Sequence, residues 1–219
     1  TAGFSIVKYG DASSFSASTP ATVGHGLGKA PKWVIIKNLD GTRDWGVHHA
    51  GLTDAQKIIY LNLTNAEANS SGFMNSTAPS STVFTVNTLN VANGNNLEYI
   101  AYCFAEIQGY SKFGSYTGNG NADGPFVYLG FKPAWVLIKR SDGGSENWNL
   151  NDNKRSPINP TKIKLSPNTN GADAEDTGYS IDFVSNGFKI RNDGGDHNSS
   201  GATMIYMAFA EHPFVSSKG

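Results

Sequence analysis

The chain has 219 residues, 38% of them hydrophobic and only 16% charged, and 17 Lys and Arg stand against 18 Asp and Glu. A net charge of −1 gives no electrostatic reason to expect nucleic acid or an acidic membrane as partner, and no apolar run approaches the ~18 residues of a bilayer-spanning helix. The sole cysteine, Cys103, excludes an internal disulfide or a cysteine metal knuckle within a monomer.

Taken in chain order, the local signals are those of strands. Phe4–Tyr9 alternates, and a Ser- and Ala-rich loop follows over 10–23. After Pro31 comes the β-branched and aromatic run Trp33-Val34-Ile35-Ile36-Lys37. Residues 45–49, 57–63 and 82–87 are further strands. The run from Tyr99 sets large Ile100, Tyr102 and Phe104 against small Ala101, Cys103 and Ala105, a strand covered on both faces with something packed close to the small one. The pattern recurs at 126–129, 133–139, 147–150, 162–165, 187–191 and 204–211, separated by Gly-, Asn- and Asp-rich turns. Only 53–57, 65–69 and 171–176 offer a helical turn. The opening Thr1-Ala2-Gly3, without Met, reads as a cut from a longer polypeptide.

The chain repeats itself. Gly28-Lys29-Ala30-Pro31-Lys32-Trp33-Val34-Ile35-Ile36-Lys37 returns as Gly130-Phe131-Lys132-Pro133-Ala134-Trp135-Val136-Leu137-Ile138-Lys139. Trp45 matches Trp148, Ile59-Tyr60-Leu61-Asn62 matches Ile163-Lys164-Leu165-Ser166, and Phe84 matches Phe188. The run Tyr99-Ile100-Ala101-Tyr102-Cys103-Phe104-Ala105-Glu106 matches Met204-Ile205-Tyr206-Met207-Ala208-Phe209-Ala210-Glu211. The offset grows from about 102 to about 105 residues, as small loop insertions make it. The expected fold is therefore all-β: two tandem antiparallel β-sandwich, jelly-roll-like units related by duplication, over residues 1–112 and 113–219. Rings kept in both copies are expected in the core.

The chemical motifs give way to simpler readings. Gly24-His25-Gly26-Leu27-Gly28-Lys29 fails the phosphate-loop spacing at Val23 and Ala30 and leads into a strand. Asn192-Asp193-Gly194-Gly195-Asp196-His197 lacks the acidic ladder and closing Glu of a calcium loop, and reads as a hairpin turn. His48 and His49 point to opposite faces of a strand, cannot chelate one metal together, and read as solvated strand-edge residues. Glu106 and Glu211 are carboxylates paired by the repeat. They sit at the same place in separate units, so they serve strand ends or the seam, not glycoside hydrolysis. There is no nucleophile elbow, and Cys103 stands where the other copy has Ala208, a small buried position. No enzyme activity, metal or cofactor is expected.

Residues shared by the copies build the scaffold, so function is expected where they differ and loops are free to vary. The candidates are Asp44 and His48 or His49 beside Trp45; Asn147, Asn149, Asp152 and Arg155 near Trp148; and the turn bearing Asp193, Asp196 and His197. Each set joins hydrogen-bonding groups to a ring or a turn, as a shallow sugar site needs.

The duplicated Pro-x-Trp-Val-x-Ile-Lys, Ser185-Asn186-Gly187-Phe188-Lys189-Ile190, the Tyr99-to-Glu106 run, and Gly24-to-Pro31 before the first tryptophan strand resemble a module of bacteriophage tail-fibre and tail-tip proteins, notably those of cyanophages. The resemblance implies a receptor-binding domain of a virion's tail fibre that adsorbs to a host-surface polysaccharide or outer-membrane receptor, usually as a homotrimer. The matched strings are scaffold and assign no functional residue. Two other roles stay open: a structural or trimerisation segment, or a polysaccharide depolymerase with carboxylates joined across subunits.

Overall fold

Short β-branched and aromatic runs punctuated by turn formers give strands. The structure, a computed structural model that describes residues 3–10 and 15–213, is all-β with every strand pairing antiparallel. Residues 11–14 of the expected Ser- and Ala-rich loop lie outside the described residues. Two compact units divide the chain: Thr1–Leu63 with Glu67–Glu106, and Ile107–Gly219 with Thr64–Ala66.

In the first unit, β1 (Phe4–Tyr9), β3 (Trp33–Asn38), β4 (Gly46–His49), β5 (Lys57–Tyr60), β6 (Ala68–Asn69) and β8 (Tyr99–Phe104) form one sheet in the order β1-β8-β3-β4-β5-β6. A smaller layer pairs β2 (Ala21–Gly24) with β7 (Val83–Val86), and a helical turn, α1 (Ser71–Met74), follows β6. The second unit repeats this strand for strand. Its large sheet runs β9-β17-β11-β12-β13-β14, from β9 (Ser111–Thr117), β11 (Pro133–Arg140), β12 (Asn149–Asp152), β13 (Ile163–Leu165), β14 (Ala174–Glu175) and β17 (Thr203–Ala210). Its smaller layer, β10 (Phe126–Tyr128), β16 (Gly187–Ile190) and β15 (Ile181–Val184), gains one strand over the first copy. A 3-10 turn spans Thr177–Tyr179, and α2 spans Gly195–Asn198.

In each unit the large and small layers enclose one core. Val34, Ile36, Tyr99, Ala101 and Cys103 meet Val23, Phe84 and Val86; Val136, Ile138, Tyr206 and Ala208 meet Val127, Phe188 and Ile190. The small residues of β8 line that core, so the close approach read from their size is borne out.

Three expectations are corrected. The helical turns fall after, not within, 65–69 and 171–176, because those stretches hold the exposed two-residue edge strands β6 and β14, too short to show any period. Val47 pairs with Ile59 and its counterpart Leu150 pairs with Leu165, so Ile59 corresponds to Leu165 rather than Ile163. The matched tryptophans are not alike: Trp33 and Trp148 are fully buried, whereas Trp135 and Trp45 are partly exposed.

Candidate functional site

β4 carries the first candidate set. Its register puts His48 opposite Val34 on the core side and His49 opposite Trp33, so the adjacent rings diverge as a strand requires. Both histidines are buried, not solvated, because β4 lies between β3 and β5 rather than at an edge. Burial lowers His48 to about 4, keeping it neutral, and its Nδ1 has no hydrogen-bond partner. His49 Nδ1 accepts from the Gly51 amide at 2.9 Å, and its ring stands edge-on to Trp33. Asn62 Nδ2 donates to Asp44 Oδ1 at 2.8 Å, and the Trp45 amide donates to Asn62 Oδ1 at 2.9 Å. The second copy repeats this latch: Asn168 Nδ2 donates to Asn147 Oδ1 at 2.8 Å and the Trp148 amide donates to Asn168 Oδ1 at 3.0 Å. A device common to both copies is scaffold, so Asp44, Trp45, Asn147 and Trp148 pin the entry of a strand.

Asn149, Asp196 and His197, drawn from two separate sets, do come together inside the second unit. Register makes Asn149 the counterpart of Gly46, since each faces the isoleucine of a matched strand. Lys164 likewise replaces Ile58. His197 stands where the first copy has Ala92, because Tyr116 and Tyr9 donate hydroxyl bonds of 2.8 Å to those two carbonyls. The preceding positions are Asp196 and Val91, and Thr177-Gly178-Tyr179 answers Ser71-Gly72-Phe73. Thus an apolar set (Gly46, Ile58, Phe73, Val91, Ala92) that packs the first unit is polar in the second. A Cβ at Gly46 would stand 2.6 Å from Val91 Cγ1 and 2.7 Å from the Phe73 ring, showing how tightly the apolar version closes.

The polar version is a hydrogen-bonded acid pair. Tyr179 donates its hydroxyl to Asp196 Oδ2 at 2.8 Å, and Asn149 Nδ2 donates to the same oxygen at 3.3 Å. Glu146 adds its carboxyl to that of Asp196 in a hydrogen bond between the two acids. That hydrogen bond first, and burial second, raise Glu146 to about 7. Burial works to raise Asp196 too, but the hydrogen bonds from Glu146, Tyr179 and Asn149 outweigh it and hold Asp196 below the usual range. Lys164 lies over the Tyr179 ring, 3.1 Å from its centroid. His197 is fully buried and lowered to about 4 by desolvation; neither ring nitrogen has a hydrogen-bond partner. The turn expected at 193–197 is therefore a helical turn, α2, whose Asp193 stays exposed outside the cluster. Sequence reasoning missed Glu146, Lys164 and Tyr179; the signal available was the substitution of Ile58 and Phe73 once the copies are aligned at the observed register. Among the described residues no His, Cys, Asp and Glu cluster could hold a metal ion.

Asp152 and Arg155 open a separate place. The loop between β12 and β13 covers 153–162, three residues more than the matching 50–56. Asp152 Oδ1 accepts from the amides of Lys154 and Arg155 at 2.9 and 2.8 Å, and Arg155 Nη1 reaches Asp152 Oδ2 at 3.1 Å. Asn159 then fixes the loop by a backbone-like pair, donating to Phe183 O at 2.8 Å and accepting from Phe183 N at 2.9 Å. Ile158, at the tip, is 78% exposed. Clefts of about 320 and 250 Å³ flank this loop and share Ser156, Pro157 and Asn159. Arg155, Lys162 and Glu175 line one; Lys132, Lys154 and Glu211 line the other. Glu211 is tied down by Lys132 at 2.8 Å and by Asn153 Nδ2 at 2.7 Å, a strand-end role as expected.

Among the described residues no helix is long and apolar enough to cross a membrane. A family model described as a domain of unknown function, DUF7483, matches residues 1–213. No curated protein matches the chain. The crystal structure of the major capsid protein P2 from bacteriophage PM2 is similar at 10% identity and a TM-score of 0.26, over 96% of this chain and 100% of that one. A likeness that slight carries no argument about role.

Proposed function

The chain belongs to the DUF7483 family, and we propose that it is a non-enzymatic receptor-binding domain of a phage tail fibre that takes a host-surface glycan on its second unit. The observation that carries this reading is the 153–162 loop, lengthened in one copy only and held by Asn159 between two clefts of mixed polar and apolar lining. The first cleft, about 320 Å³, is at the lower end of the volumes that hold small ligands, and the second, about 250 Å³, is just below it. Their walls offer amines, a guanidinium and carboxylates to sugar hydroxyls. The resemblance of the repeated strings to tail-fibre modules supplies the setting, the virion, and the expectation of a homotrimer, which light scattering checks.

The test is adsorption. Labelled protein is applied to a panel of bacterial cells, with and without periodate cleavage of surface diols. The reading expects periodate-sensitive binding to some strains and at least tenfold weaker binding when 153–162 is replaced by the sequence of 50–56. Equal binding by the loop exchange, with melting unchanged, would remove the loop from the site; binding indifferent to periodate would remove the glycan. A chain that trimerises but adsorbs to no cell would favour the structural-segment reading.

A further inference from the structure

Two rings stand exposed on the smaller layer of the second unit. Phe126 is 48% and Tyr128 60% exposed, and as alternate residues of β10 they share one face. Register sets two rows across the layer on that face: Phe126, Lys189 and Asp182; then Tyr128, Gly187 and Val184. A Cβ on Gly187 would stand 3.0 Å from Phe126 Cε2, so the phenyl ring leans over the glycine instead of projecting away. Lys112 donates to the Tyr128 carbonyl at 3.0 Å and sits 5.2 Å from the ring centroid, propping one side of the phenol. The result is a low shelf of two rings carried on strand positions about 6.5 Å apart along the backbone.

The first copy has nothing of the kind. Val23 pairs with Phe84 as Val127 pairs with Phe188, which makes Thr22 and Gly24 the counterparts of Phe126 and Tyr128, and Val83 and Thr85 those of Gly187 and Lys189. The same scaffold therefore closes without these rings, and packing does not call for their exposure. Around them most charges are paired. Asp123 holds Lys189 at 2.8 Å and Arg191 at 3.6 Å, and Arg191 Nε reaches Asp182 at 3.3 Å. Lys112, which bonds the Tyr128 carbonyl, leaves a small positive excess, too little to hold a polyanion by charge alone, and the rim offers donors and acceptors. Two rings in a charged surround are also far smaller than the roughly 800 Å² that a standard protein partner covers. Flat apolar faces flanked by neutralised hydrogen-bonding groups fit the alternating apolar and hydroxyl faces of a sugar.

We propose that β10 presents a stacking platform for a neutral glycan: Phe126 and Tyr128 receive successive pyranose faces while Asp123, Lys189 and Arg191 bond the hydroxyls at the rim. The proposal rests on the glycan-binding reading above and adds a second contact surface and the uncharged class of its ligand.

The test is affinity electrophoresis of the full chain through gels holding a mannan, a β-glucan, a galactan or, as the anionic control, alginate. The parent is compared with Phe126→Thr/Tyr128→Gly, which restores the first-copy residues, and with Phe126→Leu/Tyr128→Leu, which keeps apolar bulk but not flat rings. Melting is measured on each, and the leucine pair decides the result if the first pair fails to fold. Retardation of the parent by a neutral polysaccharide, weakened at least tenfold in the variants with melting unchanged, is the expected result. If the variants are retarded like the parent, the platform is overturned while glycan binding stands. If alginate alone retards the parent, the neutral class is wrong. If no polysaccharide retards it, the glycan reading falls and the platform with it.

Discussion

Trp148 and Trp33 have no exposed surface, and truncating either to Ala is expected to cost ~3–5 kcal/mol in urea unfolding. Trp45 and Trp135 are only partly buried, so the same change there should cost visibly less. Protonation at the acid pair has a definite sign. Glu146, raised to about 7, keeps in the folded chain a proton that the unfolded chain has released, so its contribution is present at low pH and is lost as pH climbs toward 7. Glu146→Gln cannot lose that proton, and its stability relative to the parent should therefore rise between pH 5 and pH 8. His48 and His197 act in the opposite sense. Both are lowered to about 4 by burial, so the stability they confer while neutral is complete above about 6.5 and is lost as pH falls toward 4. Denaturant melts of His197→Ala against the parent, at pH 4.5 and pH 7, separate the two slopes.

The elements differ in how they tolerate change. Asn159 serves the 153–162 loop with both ends of its amide, so Asn159→Ala should cost ~1–3 kcal/mol and raise hydrogen exchange at the Phe183 amide. Inside the second unit, Asp196→Val alone leaves the Tyr179 hydroxyl without its acceptor and takes one of two from the Asn149 amide, and should destabilise by a similar amount. The first copy shows a complete alternative. Exchanging all five positions together (Asn149→Gly, Lys164→Ile, Tyr179→Phe, Asp196→Val, His197→Ala) should cost less than the sum of the single changes, because these polar partners are removed together and Glu146, partly exposed, keeps Arg140 at 4.0 Å. A fivefold variant as damaged as that sum would show that the polar interior is needed for packing in the second unit.

For the molecule as a whole, Cys103 is a convenient reporter. It lies in the first unit's core, and burial pushes its thiol up to about 12, leaving almost no thiolate. A thiol reagent should label it only as fast as the unit opens, so labelling of the native chain should be negligible until denaturant reaches the unfolding transition. Prompt labelling in native buffer would mean that the core opens locally around β8.

The sequence by itself determined the duplication, the antiparallel strands and their order of appearance, since these follow from side-chain period and turn chemistry within a few neighbouring residues. It also determined that His48 and His49 diverge, because a strand alternates its faces whatever surrounds it. Burial of those histidines, the pairing of Asn149 with Asp196, and the exposure of Phe126 and Tyr128 depend on which strand lies beside which, over separations of tens of residues. No local pattern carries that. Strand register identifies Lys164, not Lys162, as the lysine that answers Ile58 and so meets the Tyr179 ring. Register is set by the whole ladder of cross-strand bonds and the packing on both faces, and the tertiary structure alone decides it.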